Sequence, residues 1–186
     1  MELLVVISIV SVFSAVILTA TSQAKLKAQN SKVNQTARQY ILAIKMYEVT
    51  KGTYPIIADM NWHCLGTGYP GSICGYIDTS PTTENPVLNN GLLPYLPNQQ
   101  AVSTKPIQLG GGGCTPEEIL DFTCVPGPSD KYVGMSYVCS EASAGICTKA
   151  AIVWVLEGQD NCSIGGAVSI FNNPNTFCLF NLTDNY

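Results

Sequence analysis

The sequence predicts an α+β chain: one long N-terminal α-helix packed on a small, disulfide-rich antiparallel β-sheet head. Three observations carry this. Residues 1–51 contain neither proline nor glycine. Residues 131–186 hold four runs rich in β-branched and aromatic residues, separated by turn signals. All eight cysteines lie beyond the helix: Cys64, Cys74, Cys114, Cys124, Cys139, Cys147, Cys162 and Cys178.

The helix is expected over residues 2–51, with Gly52 as its stop and Pro55 soon after. At helical rise that length spans about 75 Å. Its two halves differ. Residues 1–24 form an apolar half with no charge between positions 3 and 20. Between positions 3 and 20 only Ser8, Ser11, Ser14 and Thr19 carry hydroxyls. A helix apolar all round is a membrane span or a buried core, and about 18 such residues just cross a bilayer. Val5, Val6, Ile7, Ile9, Val10 and Val12 are weak helix formers in water. In lipid they cost little, because backbone groups must pair internally there. Residues 25–51 form an amphipathic half. Val33, Ala37, Tyr40, Ile41, Ile44 and Tyr47 recur three or four apart, a stripe that should pack on the head.

The head, residues 52–186, divides in two. Residues 52–130 read as loop-rich, as in GTGYPGS and TSPTTENPVLNNG. The four glycines at 110–113 lack the following Lys-Ser/Thr of a phosphate cradle and read as a flexible turn. Thr115-Pro116-Glu117-Glu118 is a capping box that should start a short helix reaching Asp121. A second short turn is expected over residues 92–96. Residues 131–186 read as an antiparallel sheet built from KYVGMSYVC, AAIVWVLEG, AVSIF and TFCLFNL, with turns at GQDN and NNPN. One face should cover the helix stripe, and disulfides should stiffen the loops that the core does not reach.

Charged residues make up 12% of the 186 residues, against about 25% in ordinary soluble domains. Such a chain relies on burial or packs against copies of itself. The net charge of −4 is split unevenly. Residues 1–51 hold six basic groups (Lys25, Lys27, Lys32, Arg38, Lys45, Lys51) and two acidic ones (Glu2, Glu48), giving +4. The remaining three basic and eleven acidic groups leave −8 on the head. An acidic head argues against nucleic-acid binding. The basic cluster follows the apolar run, where it can meet lipid head groups. A solvated helix face accounts for any one of these lysines equally well.

The cysteines are spaced ten, forty, ten, fifteen, eight, fifteen and sixteen apart, with no CxxC knuckle. That favours disulfides over zinc, and hence an oxidising, extracytoplasmic compartment. Loop closure is cheapest between sequence neighbours. The expected pairs are Cys64–Cys74, Cys114–Cys124, Cys139–Cys147 and Cys162–Cys178.

Catalysis finds little support, and the chain is expected not to be an enzyme and to need no cofactor. His63 is the only histidine, beside a cysteine expected to be oxidised. Adjacent Glu117 and Glu118 diverge on a helix start and favour its dipole. Asp130, Asp160 and Asp184 sit in expected loops without the spacing of an EF-hand, so calcium is a minor alternative and no metal site is assigned. Three N-x-S/T sequons make Asn34, Asn161 and Asn181 candidate glycosylation sites.

Glu2 heads the apolar run. A charge at the centre of a membrane helix costs about 2.5–3.5 kcal/mol, less near an end, and persists where it has a partner. The nearest basic residue along the helix is Lys25, roughly 35 Å away at helical rise. The partner must therefore be water, a lipid head group or another chain.

MELLVVISIVSVFSA, followed by a long helix and KGTYP, resembles the type IV pilins and the related pseudopilins of type II secretion. The family's mature N-terminus typically reads Phe-Thr-Leu-Ile/Met-Glu-Leu-Leu. Glu2 matches its glutamate, and Leu3, Leu4, Val5, Val6 and Ile7 follow in register. The alignment implies three mature residues and a leader ahead of Met1. The specific match covers about the first 20 residues and the GTYP junction.

The resemblance implies a "lollipop" fold and a mechanism. A precursor sits in the inner membrane through its apolar segment. A prepilin peptidase removes the leader and methylates the new amino group. The glutamate then attracts the N-terminal ammonium of a neighbouring subunit, in a low-dielectric setting where an unpaired charge is costly. With the assembly machinery, subunits exchange lipid for each other's helices and form an extracellular helical homopolymer whose heterologous contacts do not close. Two departures stand out. Ser11 and Thr19 occupy places where many members carry glycine or proline, which implies less local unwinding. Eight cysteines also exceed the family's usual single pair. The expected function is a filament-forming major pilin. The alternatives are a secretion pseudopilin and a membrane-anchored adhesin or binding module that never polymerises.

Overall fold

A single helix, α1, runs from Glu2 to Lys51. It ends where the sequence places its stop: Gly52 takes φ 73° and its N–H reaches the Glu48 carbonyl at 2.7 Å. The computed structural model describes residues 2–57, 61–77, 80–99, 107–108, 131–132, 134–158, 160–172 and 175–183. The chain divides into two units, Met1–Lys32 and Val33–Tyr186. The first consists of helix. The second holds the remainder of α1 and the whole head.

Within the second unit a seven-stranded sheet has the order β2-β3-β1-β6-β7-β9-β8. Its strands are β1 (His63–Leu65), β2 (Ile73–Ile77), β3 (Ser80–Glu84), β6 (Met135–Ser143), β7 (Ile146–Leu156), β8 (Ala167–Asn172) and β9 (Asn175–Asn181). Two short strands, β4 (Ile107–Gln108) and β5 (Lys131–Tyr132), pair separately. The four long runs expected beyond residue 131 form antiparallel β6 to β9.

The sheet is mixed, not the plain antiparallel sheet expected. β1 pairs with β3 in parallel, His63 opposite Thr83. The cause is a β2–β3 hairpin, drawn onto β1 by the Cys64–Cys74 disulfide, which returns β3 in the direction of β1. The stretch read as loop-rich thus supplies three strands of the main sheet. Pro81 is tolerated in β3 because only Thr83 and Glu84 pair with β1, so its missing N–H costs no bond on that side.

The same stretch supplies a second helix, α2 (Pro86–Leu92), just before the turn expected over residues 92–96. Asn85 caps it, accepting the N–H groups of Val87 and Leu88 at 2.9 and 3.1 Å, and Pro86 opens the first turn. Leu88 and Leu92 enter the core. Asn89, also buried, accepts the Gly66 N–H at 3.1 Å and donates to the Gly66 carbonyl at 3.0 Å.

The α1 stripe packs as its spacing predicts. Val33, Ala37, Tyr40, Ile41 and Ile44 are buried in one cluster with Leu65, Met135, Tyr137, Ile152, Trp154 and Phe180. Tyr47 is partly buried against it. Alternation along β7 sends Ile152, Trp154 and Leu156 into this cluster and Ala151, Val153 and Val155 into a second. Trp62, Val138, Phe177 and Leu179 complete that second cluster. The sheet is therefore buried on both faces, which explains the unbroken apolar run of β7.

Three expected disulfides are present: Cys64–Cys74, Cys139–Cys147 and Cys162–Cys178, with Cα–Cα distances of 5.6, 6.0 and 5.7 Å. The Cys114–Cys124 pair, the turn at 110–113 and the helix expected from Thr115 lie outside the described residues.

Candidate assembly surface

The backbone of Glu2, Leu3, Leu4 and Val5 forms the start of α1, while their side chains lie outside what is described. From Val6 onward the side chains are described, and all are exposed as far as Lys25. Val6, Ile7, Ile9, Val10, Val12, Phe13, Val16, Ile17 and Leu18 all stand open, Leu18 at 76%. Each large apolar side chain of this kind gains about 1.5–3 kcal/mol on full burial. Water is thus an unfavourable final environment for this segment. Among the described residues one helix is long and apolar enough to cross a membrane, and it is this one. That makes it fit to act as a membrane anchor.

The hydroxyls answer the remaining question, whether polar groups oppose dehydration. Ser11 Oγ and Ser14 Oγ donate to the carbonyls of Ile7 and Val10, both at 2.8 Å. Thr19 Oγ1 donates to Val16 at 2.9 Å, and Thr21 Oγ1 to Ile17 at 2.7 Å. These bonds turn the four hydroxyls inward on their own helix, so Ser11, Ser14, Thr19 and Thr21 can leave water without stranding a donor.

The amphipathic half is held to the head by polar bonds as well as by burial. Trp154 Nε1 donates to Asn34 Oδ1 at 2.9 Å, and Asn34 Nδ2 donates to the Asn161 carbonyl at 3.3 Å. Arg38 Nη2 donates to the Ser163 carbonyl at 3.3 Å, and Lys45 Nζ lies 5.6 Å from the centre of the Phe180 ring. Past the helix end, Tyr54 Oη donates to the Leu182 carbonyl and Tyr137 Oη to the Pro55 carbonyl, both at 2.7 Å. Burial pushes the Tyr54 phenol up to about 12, with Glu48 adding to it, and burial likewise raises Tyr137.

The sequence candidates fall in different settings. Asn34 is a buried clamp, both ends of its amide in use. Asn161 is exposed and precedes the buried, disulfide-bonded Cys162. Asn181 lies on β9, its Oδ1 3.2 Å from Thr183 Oγ1. His63 is buried in β1 and partnered. Asp160 caps its own turn through Asn161 N–H at 2.8 Å, while Asp130, Asp184, Glu117 and Glu118 lie outside the described residues. Among the described residues no cluster of His, Cys, Asp and Glu could hold a metal ion. Sequence reasoning missed the clamp roles of Asn34 and Asn89. The signal for Asn34 was its place on the buried stripe, one residue after Val33 and three before Ala37.

No protein-family model, curated protein or solved structure matches this chain.

Proposed function

We propose that this chain is a structural subunit, a major pilin, that polymerises through its N-terminal helix into a type IV pilus-like extracellular filament. One observation supports this most: the apolar side chains from Val6 to Leu18 are all exposed, on a segment where the Ser11 and Ser14 hydroxyls bond their own helix. Such a surface needs a non-aqueous partner. Lipid serves before assembly, and the helices of sister subunits serve after it. Glu2 is assigned to the N-terminal ammonium of a neighbouring subunit, as the pilin resemblance implies. The disulfides suit an oxidising exterior for the head. Inner-membrane anchoring before assembly and release by a prepilin peptidase belong to the same reading.

The apolar helix also fits an anchor that stays in the bilayer, and one experiment separates the two. Glu2→Ala is expressed beside the unaltered chain, and surface material is imaged by electron microscopy. Assembly predicts long fibres of uniform width for the unaltered chain and their loss in the variant, with head disulfides intact. A static anchor predicts no fibres and unchanged surface display in both. Short fibres confined to the periplasm would point to a secretion pseudopilin.

A further inference from the structure

We propose that the outer edge of β8 is a strand-addition site that takes the same edge of a second copy, joining two heads through one continuous sheet. The inference stands apart from the filament reading, because it uses the sheet alone.

β8 (Ala167–Asn172) ends the seven-strand order, and among the described residues it pairs with β9 only. Ala167 donates its N–H to the Ile164 carbonyl at 3.0 Å, so that group points away from β9. Antiparallel pairing turns the main-chain groups of alternate residues toward the partner strand and away from it. Ser169 and Phe171 therefore send their N–H and carbonyl groups outward too. A row of such groups is a template for another strand.

Edges that stay single are blunted by charge, above all Lys, or by proline. β8 has neither, and no charged residue stands between positions 161 and 183, although the head as a whole is acidic. The side chains are equally incomplete. Ile170 packs against the second core cluster and stays partly exposed, while Val168, on the same face, is 41% exposed.

A second β8 running antiparallel meets all of these features. Ser169 of each copy then lies opposite Phe171 of the other, forming two hydrogen-bonded pairs, and Ile170 meets Ile170 at the twofold axis between them. The two apolar faces become continuous, and no like charges are brought together. The contact is isologous and closes at two copies, so it links two heads and does not extend a fibre.

The test places the photo-crosslinker benzoylphenylalanine at Val168 of the full-length chain in detergent micelles. After irradiation across a concentration series, cross-linked peptides are mapped by mass spectrometry. The expected result is an intermolecular product joining the probe to residues 167–172 of another copy. Single chains at every concentration overturn the proposal, as do products confined to α1 or to other strands. Ser169→Pro in the labelled chain is the second readout. An edge strand tolerates proline where its N–H faces outward, so the head should melt within a few degrees of the unaltered chain. The β8 product should fall about tenfold or more, because an outward donor is lost and the ring meets the incoming strand. Ser169→Ala, which keeps the main-chain N–H, should leave the yield unchanged. Equal yields in the two variants overturn the proposal. If Ser169→Pro does not fold, the map from the Val168 probe decides alone.

Discussion

Two stretches of one helix have similar chemistry and opposite fates. Residues 6–18 are richer in large apolar side chains than residues 33–44, yet every one of them is exposed. In residues 33–44 the apolar stripe is buried, and Asn34 and Arg38 add polar bonds to the head. The difference teaches that hydrophobicity alone does not define a core. Residues 33–44 have an internal partner because their apolar residues fall on one stripe that a sheet face can cover. The upstream segment is apolar all round, and one sheet face cannot cover a full circumference. A segment of that kind has no single face to bury.

The sharpest way to break this comparison is to remove the partner of the buried stretch. Trp154 is fully buried and bonded to Asn34. Trp154→Ala should cost about 3–5 kcal/mol, the usual range for deleting a large buried aromatic. Chemical denaturation followed by circular dichroism reads this directly. A loss under about 1 kcal/mol would mean that the sheet does not depend on this packing.

The polar half of the same contact should weigh less. Asn34→Ala leaves the indole N–H of Trp154 buried without its acceptor, at a cost of about 1–3 kcal/mol. A double-mutant cycle with Trp154→Phe isolates the bond. The two changes together should cost less than the sum of the single ones, because both remove one interaction. Strict additivity would mean that the Asn34 amide acts independently of the indole.

What the sequence made legible follows from the range of the interactions involved. The bounds of α1 could be read because helix continuity is local and Gly52 is the first residue to interrupt it. The three described disulfides could be read because each closes a short loop. Strands β6 to β9 could be read from runs of Val, Ile, Phe and Trp. β1 to β3 could not: HCL and SPTTE lack alternation, and their pairing depends on a parallel contact and a cross-strand disulfide. α2 was hidden by its asparagines, which suggest turns. There Asn85 is a cap and Asn89 a buried substitute for a backbone partner. The clamp of Asn34 was hidden in the same way, since it reaches Trp154 across 120 positions. For the assembly surface, the apolar segment was legible. The self-bonding of Ser11, Ser14, Thr19 and Thr21 needed three dimensions.

The smallest effect on the monomer belongs to the exposed stretch, and there the comparison is most finely tested. Phe13 is 63% exposed, so Phe13→Ala removes a large ring that contributes little to the folded subunit. Measured on the full-length chain in detergent micelles, unfolding of the head should change by no more than about 0.5 kcal/mol, as for surface substitutions generally. Ile44→Ala, on the buried stretch of the same helix, should cost about 2–5 kcal/mol in the same assay. Fibre yield should reverse the order between properly folded subunits, because only Phe13 lies on the surface assigned to sister helices. If Phe13→Ala destabilises the head as much as Ile44→Ala does, the exposed segment has a partner within its own chain. The contrast between the two stretches would then fall, and with it the reason for looking to other copies.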